Sequence, residues 1–169
     1  IRSPIDWLSL AFLINKSSLV KEKVTIPLVD SDESLYRLYL SDMGMFTYQS
    51  NINPKVFLSN EGRNTLSGIF FENYVSIELV NYGYKLFYWK GKGDSEFEFI
   101  IESESTIIPI DLKKSKGKLN SLEKFTEHNK LNYAVKISKN NYGFDNENKI
   151  LTLPFYLQEL REKNLDYMK

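Results

Sequence analysis

Residues 96–102 (EFEFIIE) and 107–113 (IIPIDLK) carry the strongest strand pattern in the chain, rich in β-branched and aromatic residues. Residues 103–106, Ser-Glu-Ser-Thr, separate them, and the pattern predicts an antiparallel hairpin. With those residues as the loop, Glu102 opposes Ile107, and the same register sets Glu98 opposite Asp111. Side chains alternate between faces, so Phe97, Phe99, Ile101, Ile108, Ile110 and Leu112 are expected to share one apolar face. The other face carries Ile100 and Pro109 near the turn, then Glu96, Glu98, Asp111 and Lys113 at the far end. Directly opposed Cβ atoms lie about 4.5–5.5 Å apart. Two carboxylates held that close repel each other unless a cation or a proton lies between them.

The pattern elsewhere predicts an alternation of helices and strands. Residues 4–15 read as a helix with Ser3 as N-cap and Pro4 in the first turn. Residues 18–27 and 35–40 read as strands separated by a polar turn, and Asp42 caps a short helix. A polar, irregular stretch covers 51–60. The longest helical signal runs over 61–81 and is ended by Gly83. It is apolar on two sides, with Glu72 on one stripe beside Val75 and Leu79, so it should pack on two sides. Residues 84–90 (YKLFYWK) predict a central strand covered on both faces. After the hairpin come a basic loop (Lys114, Lys116, Lys118), a helix over 121–129, a strand over 133–138, a break at 140–143, a strand over 149–153 and a helix over 155–163. The central order is helix, three strands, helix, strand. That is an α/β class with a mixed sheet and flanking helices.

Composition narrows the chemistry. At 169 residues the chain can bury a sizeable core, and its 42% hydrophobic and 26% charged residues are those of an ordinary globular protein. Lysine plus arginine equal aspartate plus glutamate at 22 each, so no overall field selects nucleic acid or membrane. No cysteine and a single histidine, His128, exclude disulfides, thiolate sites and multi-histidine zinc sites. Any metal centre must use oxygen ligands, which suits Mg²⁺, Mn²⁺ or Ca²⁺. No apolar run approaches the about 20 residues of a membrane span, and the absence of cysteine suits a reducing compartment, so a cytoplasmic protein is expected. The chain opens on Ile1, as a fragment of something longer would. No G-x-x-x-x-G-K-[ST] is present, so ATP hydrolysis by these residues is excluded. His128 lies at a polar helix end with no nucleophile nearby and reads as a surface residue.

The residues also carry a resemblance. The core order, with a helix glutamate, a mid-strand acid and Asp111-Leu112-Lys113, resembles the PD-(D/E)xK, or restriction-endonuclease-like, fold. Leu38 to Gly44 (LYLSDMG) is similar to a "KLYLSDVGL" motif, and Gly68 to Val75 (GIFFENYV) to "G-x-L-F-E-N-x-V". Residues 96–99 and 108–113 are similar to "EVDF" and "IPIEVK". In that order the motifs resemble the C-terminal domain, itself of unknown function, of a family of prokaryotic AAA+ ATPases. There a P-loop ATPase domain and a winged helix precede it. The resemblance covers roughly residues 35–154, and it implies a remnant of the winged helix over 1–34 and a nuclease-like domain over 35–169.

It further implies catalytic positions at Glu72, Glu98, Asp111 and Lys113, with Glu98 and Asp111 as ligands of Mg²⁺ or Mn²⁺, helped by the Leu112 carbonyl. Lys113 would orient the attacking water. Glu72 would complete the outer coordination or anchor its helix. One departure is that the family usually places Asp where this chain has Glu98. Two readings follow: a Mg²⁺-dependent nuclease acting on DNA and worked by the ATPase domain of the same full-length chain, or a non-catalytic module that binds nucleic acid or protein. Lys114, Lys116 and Lys118 are the expected nucleic-acid contacts, and no membrane partner is expected.

Overall fold

The structure is a computed structural model, and it describes residues 3–51, 66–91, 95–113 and 119–154. Four helices and eight strands lie among them: α1 (Pro4–Leu10), β1 (Ile14–Leu19), β2 (Tyr36–Leu40), α2 (Met43–Gln49), α3 (Leu66–Asn81), β3 (Leu86–Lys90), β4 (Glu96–Ser103), β5 (Thr106–Lys113), α4 (Asn120–His128), β6 (Ala134–Ser138), β7 (Gly143–Asp145) and β8 (Ile150–Pro154). All eight strands join one mixed sheet in the order β2-β1-β3-β4-β5-β6-β8-β7. The α/β class with a mixed sheet is thus observed. The helix expected over 155–163, the basic loop at 114–118 and the start of α3 before residue 66 lie outside the described residues.

The N-terminal region departs most from expectation. Ser3 caps α1 through a reciprocal pair, its Oγ accepting from the Asp6 amide and its amide donating to the Asp6 carboxylate. The helix stops at Leu10 rather than near residue 15, because Phe12 takes a left-handed conformation (φ 55°) that turns the chain into β1. That strand pairs antiparallel with β2 and parallel with β3. The segment expected to resemble a winged helix therefore supplies an interior strand of the main sheet. Residues 20–35 form no strand. Side chains hold them instead: Glu102 accepts from the Leu28 amide, and the Asn129 side chain bonds the Val24 amide and the Glu22 carbonyl.

α3 lies on one face of the sheet. Val75 and Leu79 meet Leu86, Phe99, Ile101, Ile108, Ile110, Val135 and Ile137 in one cluster. Its other side meets α2, where Phe70 and Phe46 pack edge to face at 5.9 Å. Asn73 ties the helix to the sheet edge, its amide accepting from the Leu40 N–H and donating to the Leu40 carbonyl. Past Asn81 the chain turns through Gly83 (φ 86°), a conformation favouring glycine. α4 covers the opposite face, with Leu122 and Phe125 against Phe87, Trp89, Phe97, Ile100 and Ile107. As expected, β3 is covered on both sides, Leu86 toward α3 and Phe87 and Trp89 toward α4.

The hairpin keeps the expected register, with Glu102 opposite Ile107, but its loop is shorter. Ser103 pairs with Thr106, leaving Glu104 and Ser105 as a two-residue turn, both with positive φ (45° and 62°). That is the primed turn geometry matched to strand twist. Between β3 and β4 the register slips: Phe87 pairs with Ile100 and Trp89 with Phe97, so Tyr88 alone opposes two residues, Glu98 and Phe99. This bulge corrects the expected apolar face. Phe97 lies not with Phe99 but on the α4 side, stacked on Trp89 at 5.3 Å and edge-on to Phe125 at 4.9 Å. The break expected at 140–143 is present as far as Tyr142, and an unexpected short strand, β7, begins at Gly143.

Candidate functional site

β5 sets the geometry. Ile108, Ile110 and Leu112 face α3, so alternation puts Asp111 and Lys113 on the α4 face. Asp111 is 3% exposed. Its Oδ1 makes no hydrogen bond among the described residues, and Nζ of the half-buried Lys113 lies 3.1 Å from it. Glu98 sits at the bulge, one step beyond the last regular pair, Phe99 with Ile110. Its Oε2 accepts from the Leu112 amide at 2.9 Å. A side chain thus satisfies a backbone donor where the regular pairing has ended.

Glu98 and Asp111 meet directly, and the charges respond as two crowded carboxylates must. Burial first, then the negative charge of Asp111 and a hydrogen bond to it, raise the Glu98 pKa to about 8. The Leu112 amide and the Lys113 ammonium oppose that rise. Below that pH the pair shares a proton, and a cation is the other way to relieve it.

Glu72 does not join them. It was expected on the face that holds Glu98 and Asp111, but that face is covered by α4 and not by α3. Glu72 lies on the α3 side, where the Tyr39 hydroxyl donates to its Oε1 at 2.8 Å and Arg37 lies 3.4 Å away. Arg37 also pairs with Glu96 at 2.9 Å, and its guanidinium stacks over the Tyr88 ring at 4.4 Å. Burial, then the charge of Glu72 and the hydrogen bond to it, push the Tyr39 pKa far above that of a free phenol. A cleft of about 350 Å³ opens beside this group, lined by Arg37, Tyr39, Phe46, Ile69, Glu72 and Asn73 among others. Lys114, Lys116 and Lys118 fall outside the described residues. His128 ends α4 as expected for a helix terminus.

The family model for a domain of unknown function, DUF4143, matches residues 67–156. This chain belongs to that family. The match runs from α3 past β8, so Glu72, Glu98, Asp111 and Lys113 lie in the DUF4143 stretch, while Arg37 and Tyr39 precede it. No curated protein and no solved structure gives a significant match. Among the described residues of this DUF4143 chain, no helix is long and apolar enough to cross a membrane.

Mg²⁺ or Mn²⁺ fits the residues of the α4 face. Such ions are commonly held by one or two carboxylates with water completing the shell, and Glu98 and Asp111 supply two, with Asp111 Oδ1 paired to Lys113 Nζ at 3.1 Å. Among the described residues no group of three or more acidic or histidine side chains could hold a metal, so any such ion depends on this pair, backbone oxygen and water. Sequence reasoning missed three side chains. Arg37 and Tyr39 were hidden in a strand pattern. Lys136, 7% exposed on β6, is the register partner of Asp111. Its signal was a charged residue inside a strand, 134–138, that is otherwise suited to burial.

Proposed function

We propose that this DUF4143 domain is the nuclease-like C-terminal part of a cytoplasmic AAA+ ATPase chain. Its Glu98, Asp111 and Lys113 would form a divalent-cation centre for phosphodiester hydrolysis in DNA. One observation carries the reading: adjacent strands press two carboxylates together in a buried setting, with a lysine at 3.1 Å. A fold gains no stability from such repulsion, and a cation would remove it.

In this reading Glu98 and Asp111 hold the ion, with the Leu112 carbonyl as a further oxygen. When bound, the ion supplies charge neutralisation at the phosphodiester and hydroxide near neutral pH. Lys113 orients the attacking water and stabilises charge developing on the phosphate oxygens. Glu98 must first give up the proton it holds below about pH 8. Glu72 serves as an anchor of α3 on β2 through Tyr39 and Arg37, which leaves a centre built without it. Glu98 in place of Asp moves one carboxylate a methylene further from its strand.

A second reading, a non-catalytic module that binds nucleic acid or protein, is favoured by the ion pair between Lys113 and the almost fully buried Asp111. Incubation of duplex DNA with Mn²⁺ and the wild type, Asp111→Asn or Lys113→Ala separates the two. Cleavage lost in both variants, with thermal unfolding still cooperative, supports the nuclease reading. No cleavage by the wild type under any divalent metal leaves only the binding module, and cleavage that survives Asp111→Asn puts the centre elsewhere.

A further inference from the structure

β6 is buried at every position, and its side chains alternate: Val135 and Ile137 join the α3 cluster and Ala134 the α4 cluster. Lys136 and Ser138 therefore occupy the α4 face. β5 and β6 run parallel with Asp111 beside Lys136 and Lys113 beside Ser138. Lys136 is 7% exposed, yet no described residue gives it an ion pair or a hydrogen bond. The neighbouring carboxylate oxygen Oδ1 of Asp111 is taken by Lys113 at 3.1 Å. Among the described residues its Nζ is not one of the buried polar atoms left without a partner, so the stem is buried while the ammonium reaches solvent.

We infer that Lys136 is an anion-binding residue, and that its partner is a backbone phosphate of DNA set against the Glu98–Asp111–Lys113 group. The inference rests on the proposed reading of that group as a nucleic-acid site. It adds to it the residue that receives the phosphate. The division of labour follows from the contacts: Lys113 is paired with Asp111 at the reacting centre, whereas Lys136 has no ion pair among the described residues and can receive the phosphate. A lysine ammonium binds phosphate as a point charge.

The test is duplex-DNA binding followed by fluorescence anisotropy across a salt series in EDTA, for wild type, Lys136→Met and Lys136→Arg. Lys136→Met should weaken binding about tenfold, the size of a lost charge-assisted hydrogen bond. Its log–log salt slope should shrink by about 0.9, one phosphate contact. Lys136→Arg should retain most of the affinity. Without DNA, Lys136→Met should melt no lower than the wild type, since the ammonium makes no ion pair or hydrogen bond among the described residues and the apolar stem is kept. Wild type that binds no duplex overturns the inference, as does Lys136→Met binding with unchanged affinity and slope. A lowered melting temperature in Lys136→Met, or failure to fold, also overturns it, because the ammonium would then be structural. EDTA removes every divalent ion, so failure of the cation centre shows separately, as a wild type whose melting temperature Mn²⁺ does not raise.

Discussion

The two faces of the sheet carry the same residue types in opposite arrangements. On the α3 face, Arg37 lies between Glu72 and Glu96, Tyr39 donates to Glu72, and the guanidinium rests on Tyr88. Each carboxylate there has a donor. On the α4 face, Glu98 and Asp111 face each other, with the Leu112 amide donating to Glu98 and Lys113 paired with Asp111, while Lys136 has no ion pair among the described residues. The first arrangement is closed on itself and anchors a helix to an edge strand. The second leaves charge unresolved inside the protein, and buried groups left that way mark places built for a ligand more often than for stability.

Arg37→Ala should break the comparison hardest. It strands Glu72 and Glu96 together and uncovers Tyr88, at a cost of about 2 kcal/mol, between the values for buried and exposed pairs. Urea denaturation measures it, and a loss under about 0.5 kcal/mol, the ordinary range for surface substitutions, would show that the α3 group is not an anchor.

Asp111→Asn should act in the other direction. It removes the charge that helps raise the Glu98 pKa, so at pH 8 the variant should equal or exceed the wild type, by up to about 1 kcal/mol or one pKa unit. Guanidinium melts at that pH would contradict this by showing a clear loss.

The wild type itself should titrate. The Glu98 pKa rises from 4.5 unfolded to about 8 folded, so between those values the native state holds a proton the unfolded chain has released. Stability is then full below pH 4.5 and falls as pH rises through about 8, at no more than about 1.4 kcal/mol per pH unit. Lys113→Ala should deepen the fall by extending it to higher pH, because Lys113 opposes the shift. An identical profile in Lys113→Ala would mean that its ammonium does not act on Glu98. Glu98→Asp draws the carboxylate back from the Leu112 amide and should cost no more than about 1 kcal/mol, the size of one hydrogen bond, while preserving or raising any Mn²⁺-dependent cleavage.

Local pattern made the hairpin legible, because β-branched residues and a polar turn fix the register once one face is buried. It could not show the bulge. Phe97 and Phe99 look equivalent by alternation, and only the pairing of Trp89 with Phe97 moves one of them across the sheet. The same limit misplaced Glu72, since which helix covers which face is a tertiary fact. Residues 14 and 15 were read as the end of a helix because Ile14 continues the apolar run of α1, and the turn at Phe12 overrides that propensity, so that the strand starts at Ile14 rather than residue 18. The proximity of Glu98, Asp111 and Lys113 followed from spacing, whereas the isolation of Lys136 required the neighbouring strand.

The central claim is that Glu98 and Asp111 together receive a divalent cation. Thermal unfolding across a Mn²⁺ titration, for wild type and Asp111→Asn at pH 6 and pH 9, tests it directly. A ligand that binds only the native state raises the melting temperature, and here it must also displace the Glu98 proton. The account predicts a Mn²⁺-dependent rise in the wild type, larger at pH 9 than at pH 6 and absent in Asp111→Asn. A wild type that does not respond, or the same rise in both proteins, would contradict it.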